Sequence, residues 1–201
     1  MKVLGIVGSM RSGCNTETLV REVISRMKAI DASANAEVIH TAELDCRPCR
    51  VVCSQSHCSV ERFRCTIDDD VLHVVDQMSA ADAVILGAPQ YFRAPPASFH
   101  AMIERMIAMA FNFEAAGGLA TGHPLVDKPC GLVAVAEYSN PQGILEYLHD
   151  ASLLLNMRPA SLKTFPYLGV GGHGDLQKDE VFRPFERAGE LAATLVDAGS
   201  S

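Results

Sequence analysis

The chain has 201 residues, of which 48% are hydrophobic and 20% charged, a composition expected of a soluble globular protein with one well-buried core. Its formal charge of −7 and the lack of a basic stripe interleaved with aromatics argue against a nucleic-acid partner. No segment approaches the apolar length needed to span a membrane, and Met1 and Lys2 run into a short strand without a cleavage region, so a single cytoplasmic domain is expected.

Val3, Leu4, Ile6 and Val7 make an apolar run of strand length. It is followed by Gly8, Ser9, Met10, Arg11, Ser12, Gly13, Cys14, Asn15 and Thr16, and then by a helical pattern with Leu19, Val20, Val23, Ile24 and Met27 at helical spacing. Strand, small-residue loop and helix N-terminus in this order build an anion cradle from exposed N–H groups and the positive end of a helix dipole. Ser9, Asn15 and Thr16 supply neutral donors, Arg11 a charged fork, and Gly13 freedom for close backbone approach. The loop is neither G-x-x-x-x-G-K-[ST] nor G-x-G-x-x-G, so a single terminal phosphate suits it better than a triphosphate or a dinucleotide. An ordinary strand-to-helix turn is the competing reading.

A second strand is expected at 36–40. A cysteine-rich segment at 44–66 precedes a helix from Asp68, striped by Val71, Val74, Val75 and Met78. Residues 83–86 read as a third strand. Phe99, Met102, Ile103, Met106 and Ile107 mark the third helix, and residues 131–135 the fourth strand. Ile144, Leu145, Leu148 and Leu155 mark the fourth helix; a last strand near 161–165 and a helix over 179–197 close the pattern. Strands alternating with helices imply an α/β fold, a doubly wound five-stranded parallel sheet of order 2-1-3-4-5 with its ligand outside the carboxyl ends of the strands.

Three loops should meet at that edge: the cradle, the loop carrying Pro89, Gln90, Tyr91, Phe92 and Arg93, and the loop carrying Glu137, Tyr138 and Ser139. Aromatic rings, stiffening prolines and a two-way hydrogen-bonding amide suit a flat, polar-edged ring such as that of FMN. Plain packing under a loop is the alternative for Tyr91 and Phe92. The chain resembles the NAD(P)H-dependent FMN reductase superfamily, flavodoxin-like in fold, and within it the iron-sulfur flavoproteins. Gly8-Ser9-Met10-Arg11-x-Gly13-x-Asn15-Thr16 is similar to the FMN phosphate loop, and Gly87-Ala88-Pro89-x-Tyr91-Phe92 with residues 97–105 is similar to the isoalloxazine loop and its helix. Cys65-Thr66-Ile67-Asp68-Asp69-Asp70 resembles the end of the family's cysteine motif. Glu137-Tyr138-Ser139-Asn140-Pro141 departs from the glycine-rich run usual in the third loop.

Five of the seven cysteines, Cys46, Cys49, Cys53, Cys58 and Cys65, fall within twenty residues. Such crowding reads as metal or redox chemistry. The resemblance implies a 4Fe-4S cluster on Cys46, Cys49, Cys53 and Cys58, with Cys65 competing with Cys58 as the fourth ligand. A zinc site using His57, disulfides and reactive thiols stand as alternatives. Cys14 and Cys130 read as small packing residues, and the histidines show no ligand spacing.

No catalytic acid, base or nucleophile is expected, because the flavin carries the chemistry. The expected function is transfer of reducing equivalents from NAD(P)H through FMN to a small-molecule or protein acceptor. A flavodoxin-type carrier without nicotinamide turnover and a thiol- or metal-responsive flavoprotein are the alternatives. The resemblance also implies a homodimer or homotetramer. By composition, with Phe111 and Phe113 before a glycine-rich stretch, residues 109–127 are a candidate interface or lid, and a simple surface loop is the alternative.

Overall fold

The computed structural model describes residues 1–50, 65–112, 118–119 and 123–199, with the backbone alone at 109–112 and 118–119. Six strands form one parallel sheet: β1 (Lys2–Val7), β2 (Asn35–His40), β3 (Ala83–Pro89), β4 (Pro129–Ala136), β5 (Arg158–Pro159) and β6 (Val170–His173). The order is β2-β1-β3-β4, with β5 and β6 both on the far side of β4. Among the described residues, six α-helices accompany them: α1 (Asn15–Ile30), α2 (Asp70–Ala80), α3 (Ala97–Arg105), α4 (Ile107–Ala110), α5 (Gln142–Leu154) and α6 (Pro184–Gly199). A two-residue ribbon pairs Phe111–Asn112 with Gly118–Leu119 between α4 and β4. Among the described residues, no helix is long and apolar enough to cross a membrane.

The central strands are apolar throughout because both faces of the sheet are covered. Ala83 through Ala88 and all of β4 are buried. Alternate side chains divide between two cores. Leu4, Ile6, Val84, Leu86, Leu132 and Ala134 face α2, α3 and α5 through Val71, Val74, Met78, Phe99, Met102, Ile144, Leu145 and Leu148. Val3, Val7, Ile85, Val133 and Val135 face α1 and α6 through Leu19, Val20, Val23, Met27, Ala188, Leu191 and Leu195.

The expected order 2-1-3-4-5 holds, with one correction at the far edge. The strand expected at 161–165 is not there. The chain pairs Arg158 and Pro159 with the start of β4, leaves the sheet, and returns at Val170 to pair with its end. Pro159 and Pro166 have no N–H to give to a ladder, and Phe165 and Tyr167 are exposed. The returning strand is rich in glycine because its neighbours approach closely. A Cβ on Gly172 would stand 2.6 Å from a Leu176 methyl and 3.0 Å from one of Leu19, and one on Gly171 would stand 2.9 Å from the Phe182 ring.

Two helix starts also shift. Asp69, not Asp68, caps α2 by accepting the Val71 N–H, and α2 begins at Asp70. Asp179 lies before α6, where its carboxylate accepts the N–H groups of His173, Val181 and Phe182. The helix begins only at Pro184, a residue suited to a first helical turn.

Candidate functional site

The carboxyl ends of β1, β3 and β4 open onto a cavity of about 350 Å³, within the range of small-molecule sites. Its wall comprises Ser9, Arg11, Gly13, Cys14, Asn15 and Thr16 from the first loop, Pro89, Gln90 and Tyr91 from the second, and Val135 and Glu137 from β4 and the third. Three loops separated by tens of residues therefore converge where the topology of a doubly wound sheet puts its ligand.

The first loop is pinned at both ends. The Gly8 N–H donates to the Gly87 carbonyl at 2.7 Å, continuing the register of β1 against β3. The Ser9 hydroxyl donates to the Arg11 carbonyl at 2.9 Å and accepts the Arg11 N–H at 3.2 Å, holding a tight turn. Gly13 has φ +70°, a left-handed conformation open to glycine at little cost. Cys14 is the N-cap residue of α1 and makes no side-chain cap bond, so the opening N–H groups of the helix remain for solvent or ligand. The Asn15 side chain, expected to be a free donor, gives a hydrogen bond to the Gly174 carbonyl at 2.8 Å and ties the loop to the segment after β6.

Glu17 escaped the reading of the sequence, although an acid three residues beyond an N-cap is the position from which a side chain reaches back over a helix start. Its carboxylate accepts the Gly13 N–H at 2.7 Å and the Arg21 side chain at 2.6 Å, and lies 3.5 Å from the His40 ring. The Gly13 N–H bond, seconded by Arg21, holds the Glu17 pKa below the usual carboxylate range. One N–H of the cradle is thus used internally, and the buried carboxylate fixes the loop.

The second and third loops are joined by a bond from the Gln90 amide to the Ser139 hydroxyl, and the Gln90 N–H donates to the Val135 carbonyl at 2.8 Å. Tyr91 and Ala94 exchange backbone bonds of 2.8 and 2.9 Å around a two-residue turn in which Phe92 and Arg93 have φ of +50° and +65°. Positive φ at two non-glycine residues is uncommon and marks a turn held by its surroundings. Of the residues singled out from the sequence, Phe92, Arg93, Tyr138 and Ser139 do not line the cavity. Phe92 and Tyr138 are almost wholly exposed. Val135 is a wall residue that the sequence presented only as core.

Cys53, Cys58 and His57 lie outside the described residues, as does much of the expected interface or lid. Of the remaining cysteines in the segment, Cys46 and Cys49 are half-buried and Cys65 is buried. Burial, aided by Asp69, Asp70 and Asp45, pushes the Cys46 thiol up to about 11. Among the described residues, no three His, Cys, Asp or Glu side chains come together as a metal-holding group. Cys65 instead accepts a hydrogen bond from the fully buried Arg105, whose guanidinium also pairs with Asp69 at 2.7 Å. Burial opposes that charge, and the bonds to Asp69 and Cys65 outweigh it, so the guanidinium's pKa stands above its ordinary value. Cys130 is wholly buried beside Ser152, as expected of a packing residue, and burial pushes its thiol up to about 12.

The family model for NADPH-dependent FMN reductase matches residues 1–165. An iron-sulfur flavoprotein of Methanocaldococcus jannaschii is 30% identical over 188 residues, covering 90% of this chain and 89% of that protein. An iron-sulfur flavoprotein of Archaeoglobus fulgidus is 27% identical over 210 residues, covering 100% and 96%. Among solved structures, a flavodoxin of Streptococcus pneumoniae superposes with a TM-score of 0.57 at 14% identity, over 98% of this chain and 99% of that one.

Proposed function

The chain belongs to the NADPH-dependent FMN reductase family, and from that premise we propose that the cavity binds FMN and that the protein passes reducing equivalents from NAD(P)H to an electron acceptor. The observation that carries this reading is the chemical division of the cavity wall. On the first loop, which the Ser9 turn shapes, stand the uncapped start of α1 and the exposed Arg11 guanidinium. These are the donors a phosphate dianion requires. On the second and third loops, Tyr91 offers an aromatic ring, while Pro89, Val135 and Gln90, the last held by Ser139 from behind the wall, suit a flat ring with polar edges. The residues present therefore fit the cofactor.

Bound FMN supplies hydride acceptance from a nicotinamide and one- or two-electron delivery onward. The protein's own contribution is positional. Glu17 and Ser9 hold the phosphate loop in its binding shape before any ligand arrives, which lowers the ordering cost of binding. Gln90 locks the second loop to the third, fixing the width of the slot between them. No wall residue is needed as acid, base or nucleophile, and Glu137 is the wall carboxylate on the third loop.

Anaerobic purification followed by visible spectroscopy tests the reading. A yellow chromophore retained at micromolar protein, together with oxidation of NADPH or NADH in the presence of a quinone, free flavin or ferricyanide, supports it. FMN retained without nicotinamide turnover would assign the carrier role instead, and failure to retain FMN would remove both. For the cysteine segment we propose a 4Fe-4S cluster, supported by the cysteine spacing and by the names of the archaeal relatives; iron and sulfide assays on the same preparation test it. The oligomer we expect is a homodimer or homotetramer, and a concentration-independent monomer mass would refute it.

A further inference from the structure

The buried guanidinium of Arg105 has no part in the cavity, and its surroundings are unusual for a helix terminus. Arg105 closes α3, the helix that follows directly on the 89–96 loop. Four of its N–H groups are used. Nε donates to the Cys65 Sγ at 3.0 Å, Nη1 to the Asp69 carboxylate at 2.7 Å and to the Arg47 carbonyl at 3.1 Å, and Nη2 to the Ile67 carbonyl at 2.9 Å. One planar fork thus grips residue 47 on one side and residues 65, 67 and 69 on the other.

The two stretches gripped are the two ends of the cysteine segment, and further bonds lace them together. The Asp69 carboxylate that receives Arg105 also accepts the Arg47 N–H at 3.0 Å. The Arg47 side chain donates to the Asp68 carbonyl at 2.7 Å, and the Asp45 N–H to the Asp70 carboxylate at 2.7 Å. The Cys49 N–H donates to Glu104, the neighbour of Arg105 on α3, at 3.3 Å. Arg105 and Asp69 have no exposed side-chain surface. Loss of either partner would strand a charge in the interior.

We propose that Arg105 is a positioning residue for Cys65: its guanidinium ties residue 47 to residues 65, 67 and 69 and holds Cys65 as a bound sulfur acceptor, shielded from solvent and registered against α3. Cys65 is thereby held at the C-terminal end of α3, beside the Asp69 cap of α2. This inference concerns the cysteine segment and stands whether or not FMN occupies the cavity.

The experiment measures alkylation of Cys65 by N-ethylmaleimide in the full-length protein as purified, and again after treatment with a metal chelator, with the modified residue located by mass spectrometry. The variants are Arg105→Gln and Arg105→Lys, which keeps the charge facing Asp69 and loses the fork. Arg47→Ala removes the side-chain bond to the Asp68 carbonyl without touching the Cys65 bond, and Leu148→Ala destabilises a core cluster separate from that of Cys65. Arg105→Gln should raise the Cys65 rate by about tenfold or more, as expected when a hydrogen bond to a charged group is lost and the local open state becomes more populated. Arg105→Lys should give an intermediate rise, which keeps the test alive should the glutamine variant fail to fold. Arg47→Ala and Leu148→Ala should change the rate far less. A wild-type rate in both Arg105 variants overturns the proposal. Equal acceleration by Leu148→Ala also overturns it, because Cys65 would then be reporting global unfolding.

Discussion

Arg11 and Glu17 sit on the same loop with opposite tasks. Arg11 is exposed on the cavity wall, free to meet an anion, whereas Glu17 is buried beneath the loop and holds it. Replacing Arg11 by alanine removes one charge-assisted contact, worth about 1.5–3 kcal/mol, and should weaken FMN binding by about ten- to a hundredfold in a fluorescence titration. An unchanged affinity would place the phosphate elsewhere. The role of Glu17 shows in pH dependence instead. Its folded pKa lies below the unfolded value because the Gly13 N–H and Arg21 favour the carboxylate. Its stabilising contribution is therefore complete above the unfolded pKa of about 4.3 and fades as pH falls through the lower folded value. Glu17→Gln keeps an acceptor and loses the charge. The Tm gap between wild type and this variant should be widest near neutrality and should narrow as the pH is taken below about 4. A gap that widens on acidification would contradict the assignment.

At the scale of elements, α1 packs on the sheet because Gly87 in β3 presents no side chain to it. A Cβ there would stand 2.5 Å from a Val20 methyl and 3.3 Å from one of Thr16. Gly87→Ala should cost about 1–3 kcal/mol by overpacking. Val20→Ala alone should also destabilise, but the double variant should be more stable than the sum of the singles predicts, as a chemical-denaturation cycle would measure. Additive losses would mean that α1 does not press on β3 here. The same elements explain what could be read beforehand. Strands β1, β3 and β4 and the stripes of α1, α2 and α5 were legible because burial on two faces of a parallel sheet forces long apolar runs and strict helical spacing. The far edge was not, because β6 is Val-Gly-Gly-His, selected for close approach to Leu176, Leu19 and Phe182 and carrying no hydrophobic pattern. The candidate site was legible in its loops and less so in its internal wiring. Arg11, Gln90 and Tyr91 stand out by type and position, but the bond from Asn15 to Gly174 joins residues 159 apart and leaves no local trace.

For the whole molecule, the formal charge of −7 gives no general attraction for an anionic cofactor, so affinity must come from the one edge where N–H groups and Arg11 are gathered. A cofactor held there would touch three loops at once, so occupancy should be visible as global stability. A ligand at a hundred times its Kd stabilises the folded state by about 2.7 kcal/mol, which for a chain of this size corresponds to a Tm rise of about 5–10 °C. FMN should produce such a shift in differential scanning fluorimetry, growing with the logarithm of its concentration. Riboflavin has the same ring and no phosphate, so at equal concentration it should shift the Tm far less in wild type, and Arg11→Ala should reduce the difference between the two ligands. Equal shifts from FMN and riboflavin would show that ring stacking alone carries binding and that the loop after β1 does not hold the phosphate.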